Sequence, residues 1–184
     1  VDIAYDAYGN VTQSHSLGDV TDSSDDQTTL TDYAYNTGGY LVGFPGRVRL
    51  QDASGTTIRQ SWTYYDNATD WNTPPVKGNP TKSVSWGSGG SDPTVTRVFD
   101  AYGNVTDQYD ALWNATGGSQ GNHVQTTYDA TFHQFPVQIS NALGHTESST
   151  FDPGTGNVLT HTDANGQTTT YQYDVFGRPI KVFN

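Results

Sequence analysis

The feature that most constrains the fold is a short pattern repeated within residues 150–182. An extended run ends in an aromatic residue and an aspartate, a glycine follows within a few positions, and a new polar-apolar run begins. One copy starts at Phe151-Asp152 and contains Gly156, and the next starts at Tyr173-Asp174 and contains Gly177. Aspartate can bond a turn backbone through its side chain, and glycine supplies positive φ. The pattern therefore predicts a strand, a turn and a returning strand.

A second chain reversal lies between the two copies. Asn165-Gly166 stands between Thr-rich runs, and this dipeptide is the strongest short-range signal for a β-hairpin. A type I′ turn there would require positive φ at both residues. Asp163-Ala164-Asn165-Gly166 also resembles the start of a calcium loop, but no bidentate acid follows at the required distance. We interpret the segment as a hairpin turn, so each repeat holds two reversals.

The pattern recurs along the chain. Residues 5–12 read YDAYGNVT and residues 99–106 read FDAYGNVT, and weaker copies begin at Tyr35, Tyr65 and Tyr128. The aromatic residues that open the copies stand at positions 5, 35, 65, 99, 128, 151 and 173, which are 22 to 34 residues apart. Self-similarity of this size indicates a repeat architecture.

Aspartate and glycine take fixed places in the copies, which indicates a structural role. The predicted turn residues are Asp6, Gly9, Asp100, Gly103, Asp152, Gly156, Asn165, Gly166, Asp174 and Gly177. Asp66, Asp110 and Asp129 stand at matched places in weaker copies. Because the turn glycines should adopt positive φ, a β-carbon at Gly103 should destabilise the protein, whereas Gly89, in a flexible connection, should tolerate one.

The domain organisation is predicted to be a single array of about seven repeats over residues 1–184, open at both ends. Irregular insertions interrupt it near residues 18–31, 67–80, 87–94 and 111–122. The chain starts in the closing strand of a repeat, without an initiator methionine, which indicates that an upstream segment has been removed. It stops one strand into another repeat. We therefore expect each end to leave a sheet edge that flanking repeats, or an identical subunit bound head to tail, must cover.

The segments YDAYGNVT, FDAYGNVT and YDVFGRPIKV, with NALGHTE and DANGQTT between them, resemble the YD repeats of the RHS family. The resemblance is strong over residues 96–107 and 124–184 and loose over residues 13–95. It implies an all-β fold in which tandem YD-repeat hairpins form a curved, spiralling antiparallel sheet, as one segment of a hollow shell. Such shells occur in bacterial toxin complexes, RHS polymorphic toxins and the extracellular barrel of teneurins, where the repeats enclose or present other components and are not catalytic.

The composition favours a thin sheet over an ordinary globule. Only 33% of residues are hydrophobic, and counting the 20 glycines as well still leaves the apolar share below the about 45–50% of typical domains. Yet 12% of residues are aromatic, which argues against disorder. The net charge of −11 leaves no basic patch for nucleic acid or for an anionic membrane surface. No apolar run is long enough to span a bilayer, and without cysteine no disulfide or thiolate metal site can form.

The sequence contains no recognisable catalytic, metal or cofactor site, so we predict that the chain is not an enzyme and needs no cofactor. Asp22, Asp25 and Asp26 lack the spacing and closing acid of a calcium loop and favour a solvated loop. The five histidines lack the paired spacing of a zinc site, and no GxSxG motif is present. Asp152-Pro153 resembles part of the aspartyl protease segment that ends some RHS shells, but the following residues continue as an ordinary repeat.

Two kinds of surface residue leave other roles open. Trp71 could form a sugar-stacking platform with Trp62 or Tyr64, or it could pin its insertion to the sheet, as loop tryptophans more often do. Possible glycosylation sites are the asparagines of four Asn-x-Ser/Thr sequons, which are Asn67 and Asn114 in insertions and Asn10 and Asn104 in repeat turns.

Two functional classes remain open. In the first, the chain is a non-catalytic structural segment of a larger secreted or cell-surface RHS-type protein, and it forms part of a shell that encloses or presents a toxin or other cargo. In the second, it is a subunit of an extracellular fibre or adhesin that assembles head to tail through its open sheet edges. Carbohydrate binding through loop Trp and Tyr residues is a weaker alternative. Both main classes predict an extracellular or cell-surface location.

Overall fold

The computed structural model describes residues 2–87 and 91–184, and most of these residues form β-strands. Fourteen strands follow one another in one open sheet in the order of the sequence, and the described strand pairs are antiparallel. The prediction of an all-β antiparallel sheet built from tandem hairpins is confirmed. The chain divides into two compact units, Val1–Thr96 and Arg97–Asn184. Gly89 lies outside the described residues.

The first unit contains six complete strands and the start of a seventh. They are β1 (Asp2–Tyr5), β2 (Val11–Ser16), β3 (Gln27–Asn36), β4 (Leu41–Gln51), β5 (Thr57–Tyr65), β6 (Pro80–Ser85) and β7 (Thr94–Phe99). Their Thr, Val and Tyr residues suit a pleated, half-exposed surface. Because β3 already begins at Gln27, the insertion expected near 18–31 is shorter, and it contains a 3-10 helix at Ser23–Asp25.

The second unit contains the end of β7, seven further strands and one short helix. They are β8 (Val105–Tyr109), α1 (Ala111–Thr116), β9 (His123–Tyr128), β10 (Pro136–Asn141), β11 (Thr146–Phe151), β12 (Val158–Thr162), β13 (Thr168–Tyr173) and β14 (Pro179–Phe183). Helix α1 lies inside the insertion expected near 111–122 and was not predicted. It begins where Asp110 accepts from the Trp113 N–H and ends where Gly117 adopts a left-handed φ of 62°.

The turns are of two alternating kinds. An odd–even turn joins an odd-numbered strand to the next even-numbered strand, and an even–odd turn joins an even-numbered strand to the next odd-numbered one. The aromatic residues that open the seven sequence copies all lie at or next to the last residue of an odd strand. After several odd–even turns the even strand carries one extra residue. For example, Ala4 pairs with Gln13 but Tyr5 pairs with Val11, a bulge that bends and twists the strand locally.

The sheet has very little buried core. Among the described residues, the buried hydrophobic side chains are Ala34, Val42 and Tyr65, all in the first unit, and Pro75 from the insertion is also fully buried. The insertion is held there by Asn36, whose Nδ2 donates to the Pro75 carbonyl at 2.7 Å. Hydrophobic burial is therefore small for a chain of this length, and polar contacts must hold much of the fold.

Candidate functional site

One hydrogen-bonded turn recurs in six hairpins. Its first residue, i, is aspartate or asparagine, and the side-chain Oδ1 accepts from the N–H groups of residues i+2 and i+4 at 2.8–3.1 Å. The glycine N–H at i+3 donates to the carbonyl of residue i, and the N–H of residue i donates to the carbonyl of residue i+4. The six turns begin at Asp6, Asp52, Asp100, Asn141, Asp163 and Asp174. Each turn is thus closed by its own atoms and needs no neighbouring core.

The glycine of this turn is required by its backbone. In the six turns φ of the glycine lies between 77° and 90°, where a β-carbon is strained. At Gly9 and Gly103 an added β-carbon would meet nothing within 4 Å, so the strain would come from the backbone alone. The type I′ turn expected at Asn165-Gly166 is wrong, because positive φ falls on Gly166 alone. Asp163 accepts from the Asn165 N–H and holds a three-residue loop that ends in a left-handed glycine.

Three odd–even turns are also held by an aspartate, but their loop length or glycine differs from that of the six turns above. Asp152 accepts from two backbone N–H groups, and the left-handed glycine comes one residue later, as Gly156 with φ of 74°. Asp129 accepts from four backbone N–H groups, and His133 takes the left-handed conformation in place of glycine. Asp66 accepts from the four N–H groups of residues 76–79 and so closes the longest of these turns. These three turns differ from the other odd–even turns in loop length or in the position or presence of the glycine, but all three keep the aspartate.

Two even–odd turns begin at residues that the sequence pattern did not single out, Asp52 and Asn141. Asp110 was expected to match the repeat aspartates, but it lies in an even–odd turn, where it caps α1 and also accepts from the Asn122 N–H. Asp52, Asn141 and Asp163 begin even–odd turns with the same bonds as Asp6. The signal that finds them is Asp/Asn-x-x-Gly without a preceding aromatic-aspartate pair.

Hydrogen bonding keeps the turn aspartates ionised well below their ordinary titration range. Loss of surrounding water raises the pKa of Asp6, but hydrogen bonds from Tyr35 and Asn10 outweigh this effect and lower the pKa to about 2. A backbone hydrogen bond from Phe135 is the largest of several that lower the pKa of Asp129. Hydrogen bonds within their own turns also lower the pKa values of Asp52, Asp152, Asp163 and Asp174. The acceptors therefore remain charged at neutral and mildly acidic pH.

Four tyrosine side chains each tie a repeat to the one before it. The hydroxyl of a tyrosine at or near the end of an odd strand donates to a backbone carbonyl near the start of the preceding even strand. The four ties run from Tyr33 to Val11, from Tyr65 to Pro45, from Tyr128 to Val105 and from Tyr173 to Val158, at 2.9–3.3 Å. These bonds join residues 15 to 23 positions apart and are independent of the strand ladder. They hold successive repeats in one register.

Asparagine side chains make a second set of ties between odd–even turns. Asn10 Nδ2 donates to the Val42 carbonyl at 2.7 Å, and Asn104 Nδ2 donates to the His133 carbonyl at 2.7 Å. Both amides also donate to the aspartate of their own turn, at 2.8 and 3.0 Å. Asn157 reaches the Gly177 carbonyl at 3.4 Å. Each asparagine therefore links the bond network of one turn to the backbone of the next odd–even repeat.

Ring contacts accompany the ties. Tyr8 lies 5.6 Å from Tyr35, centroid to centroid, and the Tyr35 hydroxyl donates to Asp6 Oδ2 at 2.6 Å. In the second unit Tyr102 stacks on His133 with centroids 3.9 Å apart and an interplanar angle of 10°. The donors, acceptors and rings of the turns are thus directed at neighbouring repeats, an arrangement that fixes the geometry of the sheet.

Trp71 packs against the sheet. Its ring lies 4.7 Å from the Arg47 guanidinium carbon, and a β-carbon at Gly46 would overlap its backbone and ring. The Tyr64 ring is covered by the Lys82 ammonium at 3.6 Å. The geometry therefore favours the pinning role for Trp71 over a sugar-stacking platform.

The acidic loop and the histidines make contacts within the protein. Asp22 caps the 3-10 helix by accepting from the Ser24 N–H, and Asp25 accepts from the Asp19 N–H. His123 Nε2 lies 2.9 Å from an Asp107 oxygen. Within residues 2–87 and 91–184, no three His, Asp or Glu side chains form a group that could hold a metal. The same part of the chain has no helix with the length and apolar character that a membrane crossing needs.

The four sequon asparagines differ in their surroundings. The amides of Asn10 and Asn104 are engaged in the turn ties described above. Asn114 lies in α1, and its Nδ2 donates to the carbonyls of residues 109 and 110. Asn67 is exposed, in a left-handed conformation with φ of 62°. A glycan at Asn67 would displace fewer of the described hydrogen bonds than one at the other three.

Residues 151–182 match the family model described as RHS Repeat. No curated protein sequence matches the chain. Among solved structures, the Tc holotoxin pore of Photorhabdus luminescens with a TccC3 mutation matches 98% of this chain at 13% identity with a TM-score of 0.69, and the match covers 13% of that chain.

Two further structures with similar folds come from the same kind of complex. TcdB2-TccC3-Cdc42 matches 85% of this chain at 14% identity with a TM-score of 0.65, over 11% of its own length. TcdB2-TccC3 without the hypervariable C-terminal region gives the same identity, coverage of this chain and TM-score over 10% of its length. The chain thus spans about a tenth of these structures. At such identities the likeness concerns the fold.

The segment matched by the family model contains the turns that begin at Asp152, Asp163 and Asp174. The same aspartate-bound turn recurs upstream, at Asp6 and Asp100 among others, within a fold like that of the Tc complexes. Residues 151–182 thus match an RHS repeat, and the turn chemistry and the fold extend the likeness to RHS/YD repeats over the upstream part of the chain.

Proposed function

We propose that this chain is a non-catalytic structural segment of a larger secreted or cell-surface RHS-type protein, and that its sheet forms part of a shell that encloses or presents a toxin or other cargo polypeptide. The observation that carries this proposal is the set of ties between repeats. The Tyr and Asn side chains of the turns donate hydrogen bonds to neighbouring repeats. This arrangement suits a continuous wall better than a binding cleft, in which such groups would face a ligand. Its immediate partners are then neighbouring YD repeats of the same chain.

The similar folds support the extracellular part of the proposal. They are a Tc holotoxin pore and TcdB2-TccC3 complexes, so a fold of this kind occurs in toxin assemblies. A sheet with a net charge of −11 and few buried apolar residues is also suited to a soluble wall.

Limited proteolysis of the full-length protein that carries this segment tests the proposal. The cargo region should resist protease in the intact protein and become cleavable when ties are removed by the double substitution Asn10→Ala and Asn104→Ala. Asn72→Ala is the matched control, because Asn72 is exposed in an insertion. A cargo region that is cut equally fast in all three proteins would contradict enclosure by these repeats.

A further inference from the structure

The insertion between β5 and β6 begins with a tight turn that contains a glycosylation sequon. The Ala68 N–H donates to the Tyr65 carbonyl at 2.9 Å, and the two central residues, Asp66 and Asn67, have φ of 55° and 62°. Positive φ at both central residues is typical of a type I′ turn, and asparagine tolerates this conformation better than most residues. The sequon Asn-Ala-Thr begins at Asn67, and both Asn67 and Thr69 are exposed. The turn therefore presents both sequon side chains to solvent.

The turn accounts for the asparagine but not for the threonine. The Asn67 N–H donates to Thr81 Oγ1 at 2.9 Å, so the backbone of the turn is held by the fold. Within residues 2–87 and 91–184, neither the side-chain amide of Asn67 nor the hydroxyl of Thr69 has a hydrogen-bond partner. An N-glycan is attached to the asparagine amide of a sequon, which also needs a hydroxyl two residues later. At Asn67 both groups are available at no cost in hydrogen bonds of the protein.

The same tripeptide occurs a second time in the chain, at Asn114 in helix α1. There the Asn114 Nδ2 donates to two backbone carbonyls, at 3.3 and 3.0 Å. The Thr116 hydroxyl donates to the Leu112 carbonyl at 2.7 Å and accepts from the Gln120 N–H at 3.0 Å. Two sequons of identical sequence therefore differ in how the fold engages their side chains.

The other two sequons, at Asn10 and Asn104, are part of the ties between repeats. Each Nδ2 donates to the aspartate of its own turn and to a carbonyl of a neighbouring repeat. Glycosylation replaces one of the two hydrogens on the amide nitrogen, so a glycan would remove one of these bonds. The folded protein therefore opposes modification at Asn10, Asn104 and Asn114, and it does not oppose modification at Asn67.

We propose that Asn67 is an N-glycosylation site, and that it accepts a glycan in the folded protein in preference to the other three sequons. The donor is an oligosaccharide linked to a polyprenyl diphosphate. The Asn67 Nδ2 bonds to C1 of the first sugar as the bond from C1 to the diphosphate oxygen breaks, and the amide proton passes to a base of the transferase. The inference rests on the secreted location in the proposed function. A glycan requires open solvent, so the insertion then faces away from any enclosed cargo.

Glycan transfer to the folded full-length protein tests this site. The protein is incubated with an oligosaccharyltransferase and a lipid-linked oligosaccharide, and trypsin then releases residues 60–77, in which Asn67 has the only sequon. Mass spectrometry should find the glycan on this peptide. Transfer to Asn114 should be about five- to 150-fold slower, because two hydrogen bonds of its amide must break first. Synthetic peptides of residues 60–77 and 107–122 should accept the glycan at similar rates, because they are unfolded and contain the same tripeptide.

Matched variants separate the sequon from the turn. Thr69→Ala should abolish the glycan, Thr69→Ser should retain it, and Thr73→Ala, at an exposed threonine of the same insertion, should leave it unchanged. Asn67→Asp keeps a residue that tolerates positive φ and should also lose the glycan.

Two results would overturn the proposal. The first is a folded protein in which Asn67 stays unmodified or is modified no faster than the other sequons. The second is the same preference in the unfolded peptides, which would show that the fold is not its cause. Because the readout is glycan transfer, either failure leaves the cargo-protection test of the proposed function intact.

Discussion

Replacing Gly103 with alanine isolates the energetic cost of the repeat turn. Gly103 has φ of 90°, and an added β-carbon would meet nothing within 4 Å, so overlap with neighbours contributes nothing. The remaining cost is the left-handed backbone itself, about 1–2 kcal/mol for a residue with a β-carbon. Gly9 has φ of 86° and the same open surroundings, so its substitution should cost as much.

Gly38 provides the matched control. It lies in an exposed turn without positive φ, and the nearest atom to an added β-carbon is an Asn36 oxygen at 3.7 Å. Gly38→Ala should therefore change the free energy of unfolding by less than about 0.5 kcal/mol. Gly121→Ala should cost more than Gly103→Ala, because φ is 91° there and a β-carbon would also overlap Trp113 and Asp110.

Urea unfolding followed by far-UV circular dichroism measures these differences, provided that the m-value is unchanged between variants. The expected order of destabilisation is Gly38, then Gly9 and Gly103 together, then Gly121. Equal losses at Gly38 and Gly103 would refute the assignment of backbone strain to the repeat turn. A large difference between Gly9 and Gly103 would refute the equivalence of their two turns.

Four further outcomes are expected. Tyr173→Phe should cost about 0.5–1.5 kcal/mol in urea unfolding through loss of its tie, and Tyr171→Phe should cost less than about 0.5 kcal/mol. Lowered carboxyl pKa values stabilise the fold above the unfolded value of about 3.9, so Tm should stay level from pH 7 to about 5 and drop as pH falls from about 4 towards the pKa of about 2 at Asp6. Asp163→Asn should fold, as the Asn141 turn does, with a shallower acid dependence, and Asp163→Ala should melt lower at pH 7. Excess chelator should leave Tm unchanged, and a fall of many degrees would reveal a metal site.

The strand order was predictable because the repeat marks every odd strand. Aromatic-aspartate pairs, or their equivalents, end the odd strands, so the pattern at Tyr5 and Phe99 was enough to position weaker copies such as Tyr65 and Tyr128. These turns could be recognised from short stretches of sequence, because the aspartate and the glycine form their turn bonds within five consecutive residues.

Two features could not be predicted from the sequence, and one turn was assigned the wrong type. The ties were missed because they join residues such as Tyr128 and Val105, whose distance in sequence varies with the insertions between them. Helix α1 was missed although Asp110 and Gly117 are suitable capping residues, because six residues are too few for a helical pattern of apolar positions. The turn at Asn165 was given the wrong type, because the aspartate two residues earlier decides the conformation and not the Asn-Gly pair alone.

The distribution of insertions follows from where the ties are. Aspartate-bound turns occur at both kinds of turn, because every hairpin must close its own backbone. The tyrosine ties and those of Asn10, Asn104 and Asn157 meet the chain at or beside odd–even turns. An even–odd turn can therefore lengthen without breaking a tie, as the acidic loop and the α1 segment do. Among the described residues, the long odd–even turn is the one between β5 and β6, and it keeps its contacts with the preceding repeat. Tyr65 still donates to the Pro45 carbonyl, and Asn36 donates to the Pro75 carbonyl inside the insertion. A turn can therefore vary in length where no neighbouring repeat is tied to it. Where a neighbouring repeat is tied to it, a longer turn is accompanied by a new contact.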